Sequence, residues 1–375
     1  MNIEINKFGI EYNEETVNEL RTLGEDALDY MWKQSLIKKG LSPVDESTIR
    51  TIKAHGDRLK NQGKVCVIVA SKVEGLLVKG ILSALPTEKI VNEVVIIGEN
   101  LSTRVYEELI VKLKKTDFTV IGIAMSEEEV QVKAAFAILK KLLISKYGPE
   151  KAQTKITLVG NKQSSFFSGQ AQLDDLPFLL CPDEIEKENI DFTPAVLLPL
   201  YVAGVDIEAF MRGYYDLVSS PRWDFDAKDY GLIKAKCIKE RFYKENILFY
   251  QKEFDCLTSY FEELMAEQNT YIKKYNMPII SNEKLKNSFI TMLSVKTPES
   301  DIMMPNFEGT SEEGTLSSLL KEQEDSLCDY LENSNVPGFK IEIEVCDEYN
   351  LGQLIYFMEI SNGITLHLMK NWGLL

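Results

Sequence analysis

Residues Val65–Ala70 read VCVIVA. A short continuous apolar run rich in β-branched residues marks a strand buried on both faces, the pattern of a parallel sheet. Alternation follows. Val73–Leu85 has helical periodicity, Glu93–Ile97 reads as a strand, Ser102–Lys114 as a helix and Phe118–Ala124 as a strand. Glu127–Tyr147 is a long helix, and Lys155–Gly160 and Phe178–Cys181 are further strands. Strands and helices alternating at this spacing predict a doubly wound α/β domain, a parallel sheet covered by helices.

On either side of this core the pattern changes. The first sixty residues read helical: Val17, Leu20, Leu23, Ala27, Leu28, Met31 and Trp32 recur at three- and four-residue spacing, and Glu46–Leu59 forms a second helix ending near Gly63. Downstream, Thr193–Tyr215 and Tyr230–Glu240 are helical, Ile247–Tyr250 is a strand and Phe254–Glu267 a helix. Phe289–Val295 and Lys340–Glu344 read as strands and Gly352–Leu368 as a last helix. The expected organisation is N-terminal helices over 1–60, a first α/β domain over 61–205, a second, smaller one over 206–345, and a C-terminal helix over 346–375.

Composition narrows the function. Of 375 residues 45% are apolar and 27% charged, which suits a soluble globular chain with sizeable cores. Lys plus Arg is 42 against 58 Asp plus Glu, a net charge of −16 with no basic patch, so neither nucleic acid nor an anionic membrane is an expected partner. Met1–Ile10 has no signal-peptide core and no apolar run is long enough to span a bilayer. The six cysteines are scattered without a CxxC pair, which suits reduced thiols and a cytoplasmic location. No Walker loop, nucleophile elbow or zinc pattern is present, and neither metal nor cofactor is expected.

Four stretches, in order, resemble the bacterial phosphoglucose isomerase (glucose-6-phosphate isomerase) family. They are Phe136–Gly148 (FAILKKLLISKYG), Phe192–Phe210 (FTPAVLLPLYVAGVDIEAF), Phe289–Pro305 (FITMLSVKTPESDIMMP) and Asp347–Glu359 (DEYNLGQLIYFME). The resemblance runs from about residue 50 to about residue 368. It implies two sugar-isomerase (SIS) domains, flavodoxin-like αβα sandwiches with parallel sheets and flanking helices, in a homodimer that binds a sugar phosphate and interconverts glucose 6-phosphate and fructose 6-phosphate.

That reaction needs a phosphate cradle, a ring-opening acid–base pair, a carboxylate to shuttle the C2–C1 proton, and groups that stabilise the enediolate. The family motifs are altered at each. The glycine-rich Gly-x-Gly-Gly-Ser turn corresponds to Val67–Ser71, VIVAS, which keeps only Ser71. The family's Ser-Gly-Thr-Thr-Thr-Glu corresponds to Ser126 followed by Glu127, Glu128, Glu129, Val130 and Gln131. Like charges about 5 Å apart cost about 3 kcal/mol per pair at an effective dielectric of about 20. Such a cluster opposes phosphate, and acidic residues in a first turn are also ordinary complements of a helix dipole. The family's Gly-Gly-Arg falls near Glu186–Glu188, without arginine, and its base segment falls on Leu264–Thr270 (LMAEQNT), which keeps Glu267. The only histidines, His55 and His367, match no family catalytic position and read as structural. The sequence given ends at Asn371–Leu375, so the family's C-terminal lysine segment is expected to be missing.

The expectation is therefore a glucose-6-phosphate isomerase-like protein with a degraded site, weak or no isomerase activity, and a sugar or sugar-phosphate binding role. Its site residues are Glu267 as the catalytic candidate and Ser71, Lys72, Ser126, Glu127 and Glu128 at the substrate. Two alternatives stay open: an active phosphosugar isomerase with Glu267 as base and Lys72 and Lys79 on phosphate, or a non-catalytic interaction protein.

Overall fold

The structure, a computed structural model, describes residues 3–9, 14–33, 44–125, 128–162, 164–182, 191–219, 223–242, 244–265, 271–276, 287–298, 300–305 and 314–374. The chain divides into two compact units, Ser35–Met211 and a second made of Met1–Gln34 with Arg212–Leu375. The second unit contributes the first elements of the chain, β1 (Ile3–Phe8) and α1 (Glu14–Lys33).

The Ser35–Met211 unit runs α2 (Glu46–Gln62), β2 (Val65–Val69), α3 (Lys72–Ala84), β3 (Glu93–Ile97), α4 (Thr103–Lys115) and β4 (Phe118–Ala124). It continues through α5 (Val130–Tyr147), α6 (Pro149–Thr154), β5 (Ile156–Gly160), α7 (Ser165–Asp174), β6 (Phe178–Leu180) and α8 (Pro194–Ala203). Its sheet has the order β3-β2-β4-β5-β6 and every pair is parallel. Every residue of β2, β4 and β5 is buried, as continuous apolar strands require. On one face Val67, Val69 and Val120 meet Leu109 of α4, Phe136 and Leu139 of α5 and Phe167 of α7. Full burial of each such side chain contributes about 1.5–3 kcal/mol.

The other face is closed by α2, α3 and α8. Helix α8 is buried along almost its whole length, so its sequence is apolar all round instead of amphipathic. Thr193 caps it, Pro194 occupies its first turn, where no amide hydrogen is needed, and Gly204 ends it at φ 111°. The run Thr193–Tyr215 is thus two helices, the second being α9 (Ile207–Ser219).

The second unit continues with α10 (Trp223–Lys239), β7 (Lys244–Phe249), α11 (Asp255–Leu264), β8 (Tyr271–Asn276) and β9 (Ser288–Val295). After a two-stranded ribbon of β10 (Met303–Met304) and β11 (Gly314–Thr315) come α12 (Leu316–Asn333), β12 (Gly338–Ile343) and α13 (Glu348–Asn371). The sheet order is β1-β12-β9-β7-β8, parallel except for β1, which pairs antiparallel with β12 from Ile3↔Ile343 to Phe8↔Gly338. The sequence reading of residues 1–60 as helical is corrected here. Ile3 and Phe8 are buried while Glu4 and Lys7 are exposed, and six residues are too few for a period-2 signal to stand out beside a long helix. Among the described residues no helix is long and apolar enough to cross a membrane.

Beneath this sheet lies a sealed polar network. Lys234 and Glu245, both 0% exposed, form an ion pair at 2.8 Å. Tyr230 and Thr291 donate to Glu245 Oε1 at 3.0 and 2.7 Å, and Lys234 also touches Met265 Sδ at 3.0 Å. Burial holds the Lys234 ammonium below the usual lysine range and lifts the Tyr230 phenol well above its own. Nearby, α10 and α13 cross closely at Gly231, where a Cβ would come within 2.6 Å of the Ser361 carbonyl oxygen and Thr365 Oγ1 donates to the Gly231 carbonyl at 3.0 Å.

Two predictions follow from this packing. Lys234→Met strands a buried carboxylate and is expected to lower stability by about 3–5 kcal/mol in urea titrations, with Lys234→Met/Glu245→Gln recovering most of the loss. Gly231→Ala gains about 1 kcal/mol of helix propensity yet is expected to lose about 1–3 kcal/mol net, because the added methyl meets backbone.

Candidate functional site

In an open parallel sheet the ligand crevice lies outside the carboxyl ends of the strands, where successive crossovers diverge. In the first unit that point falls between β2 and β4, since β2 leads outward to β3 and β3 returns across it to β4. The turns around it are built as follows.

After β2 the chain passes through buried Ala70 to Ser71, the N-cap of α3. Ser71 and Glu74 make a reciprocal capping box, in which the Ser71 amide donates to Glu74 Oε2 at 3.0 Å. The other oxygen, Oε1, accepts from the amide of Met125, the first residue after β4, at 2.8 Å. Glu74 is 2% exposed. Burial pushes its carboxyl above the usual range, the two amides pull it back, and the neighbouring Glu129 charge adds to the rise. One carboxylate therefore bridges the ends of β2 and β4.

The β4–α5 turn is held from the other side as well. Asn161 Nδ2 donates to the Met125 carbonyl at 2.7 Å, and the Ser164 hydroxyl donates to the Ala124 carbonyl. Glu128, 5% exposed, accepts from the amides of Phe166 and Phe167 at 3.1 and 2.8 Å. These are first-turn amides of α7, so the expectation that the acidic run caps its own helix is corrected for Glu128. It caps the next helix in the layer, while Glu129 takes the N-cap of α5. At the end of β6, Cys181 is buried and its thiol is pushed up to about 12, too high for a thiolate nucleophile.

The sequence-derived residues divide sharply. Ser71 is partly exposed at the N-cap of α3 and Lys72 is exposed in its first turn. Glu128 is near the crevice, but both its oxygens are engaged by α7. Ser126, Glu127 and Glu267 lie outside the described residues. His55 sits on α2 beside Arg58, whose guanidinium bonds the amino end of β5, and His367 stacks on Tyr30 at 4.1 Å, so both are structural. Sequence reading missed Glu74. Its signal was present, since Ser71-x-x-Glu74 directly after a strand is a capping-box pattern; the second bond to Met125 had no sequence signal.

A groove of about 370 Å³ runs from Ser71 between α3 and the edge strand β3, with Leu76, Val94 and Ile96 in its wall and Lys79 and Glu99 among its polar groups. Among the described residues no cluster of three or more His, Cys, Asp or Glu could hold a metal ion. Of the amides at these turns, those of Ser71 and Met125 are already paired with Glu74, and those of Phe166 and Phe167 with Glu128.

No family model matches the chain. It is 21% identical over 396 residues to the glucose-6-phosphate isomerase of Streptococcus agalactiae, covering 92% of this chain and 88% of that protein. It is 25% identical over 360 residues to the glucose-6-phosphate isomerase of Fusobacterium nucleatum, covering 87% and 80%. The crystal structure of a glucose-6-phosphate isomerase from Chlamydia trachomatis superposes with a TM-score of 0.75 at 10% identity, over 97% of this chain and 83% of that one. The fold is that of the SIS-domain phosphosugar isomerases, and along most of its length the chain is distantly similar to bacterial glucose-6-phosphate isomerases.

Proposed function

We propose that this protein keeps the glucose-6-phosphate isomerase scaffold as a sugar or sugar-phosphate binding protein with weak or no isomerase activity. The observation that carries this reading is the Glu74 carboxylate, which already satisfies the Ser71 and Met125 amides at the strand ends where a substrate anion would need free donors. Supporting it, Glu128 engages the first amides of α7 in the same way, so a second helix start beside the crevice is also closed by the chain itself.

An isomerase must bind a phosphate dianion with donors and also move a proton between two carbons. The carboxylates of Glu74 and Glu128 are consumed as caps, which leaves these two without access to a substrate carbon. The family resemblance adds that the glycine turn, the arginine and the ring-opening histidine have no counterpart here. In this reading the protein pairs as a homodimer.

The test is a coupled assay of fructose 6-phosphate to glucose 6-phosphate conversion by purified protein, with Glu267→Gln alongside. General acid–base catalysis contributes about 10²–10⁴-fold. Wild type and Glu267→Gln are therefore expected to give the same background rate. Wild-type turnover that falls by about 10²-fold or more in Glu267→Gln overturns the reading and makes Glu267 the proton-shuttle base.

A further inference from the structure

A glutamate at the fourth position of a capping box usually bonds one amide and keeps its second oxygen in water. Glu74 does not. Its two oxygens are divided between two separate turns, Ser71 after β2 and Met125 after β4, and the side chain is 2% exposed. Capping α3 requires only the Ser71 bond, so the Met125 bond needs another account. The two amides come from the two strands that flank the topological switch point, the place where an open α/β sheet receives its ligand. Helix starts and converging amides at such a point are an anion seat. In this chain the seat is occupied by a carboxylate that cannot diffuse away.

From this geometry we infer that Glu74 sets the ligand class of the crevice: it fills the anion seat between β2 and β4, so the crevice rejects phosphate and takes an unphosphorylated sugar. The inference rests on the binding reading above and narrows it. A tethered carboxylate at two amides competes with any free anion at high effective concentration. Glu129, close enough to raise the proton affinity of Glu74, adds repulsion against an incoming dianion.

The experiment uses three full-length variants that share Glu129→Gln, which removes the neighbouring charge: Glu129→Gln alone, Glu74→Ala/Glu129→Gln and Glu74→Gln/Glu129→Gln. Thermal unfolding is followed as inorganic phosphate replaces chloride at constant ionic strength. The Ala variant is expected to rise by about 2–5 °C, as a ligand that binds only the folded state should produce. The Glu74-containing variant, whose seat stays filled, is expected to show no rise, and the Gln variant, whose side chain still occupies the seat but can accept from only one of the two amides, is expected to rise less than the Ala variant. If the Ala variant is unfolded in chloride, its recovery in phosphate is the same readout. A flat response from the Ala variant, or an equal rise in all three, overturns the inference.

A second arm compares fructose with fructose 6-phosphate on the wild-type protein by calorimetry. Fructose binding at least about tenfold tighter supports the inference, and tighter binding of the phosphate ester overturns it. If neither sugar binds, the binding reading fails, and the phosphate titration still decides the role of Glu74.

Discussion

Backbone amides at the carboxyl edge of a parallel sheet have no partner in the ladder, and once buried each must be given an acceptor. The first unit meets that demand with side chains from its own turns. Glu74 joins β2 to β4, Asn161 and Ser164 tie the end of β4 to the turn after β5, and Glu128 carries the tie on to α7. Three neighbouring strand ends, those of β2, β4 and β5, are therefore linked by hydrogen bonds that run across the sheet and not along it. Leaving one such amide unpaired costs about 1–3 kcal/mol.

The second unit solves a related problem inside its core. Its buried Lys234–Glu245 pair is surrounded by the hydroxyls of Tyr230 and Thr291, and the aromatic rings of Phe339 and Phe357 close over Tyr230. A charge pair removed from water has to be almost fully hydrogen-bonded to be tolerated. Here the satisfying groups come from α10, β7 and β9, which locks their relative register. Side chains of the close crossing at Gly231 reinforce the same contact between α10 and α13. The polar groups of this core hold elements together and have no access to a ligand.

Much of this was legible in the sequence, for physical reasons that can be traced to particular residues. Strands such as VCVIVA announce a sheet buried on both faces, and the alternation that follows gives the parallel α/β class. Single local patterns were readable in the same way: Thr193-Pro194 marks a helix start, and Ser71-x-x-Glu74 marks another. What the residues alone did not disclose is any partnership between distant turns. Met125 lies far from Glu74 along the chain, and Phe166 far from Glu128, so neither pairing leaves a periodic trace. The charge of the acidic run was evident; the direction in which the turn aims Glu128 depends on tertiary packing. Strand β1 was hidden for a different reason, because a six-residue edge strand borders a long helix whose signal dominates any window.

The pairing of β1 with β12 carries a consequence for how the molecule is made. Ile3 meets Ile343, so the N-terminal edge of the second sheet is built from the two extremes of the described chain, whereas Ser35–Met211 is contiguous. Closing so long a loop is entropically costly, and domains form as units while the chain leaves the ribosome. The contiguous unit has every strand it needs once its last residues emerge. The other unit must wait until β12 has been made, with a β-edge unpaired in the meantime and open to unwanted association. Strand β1, made long before β12, is among the last of the described strands to find its neighbour.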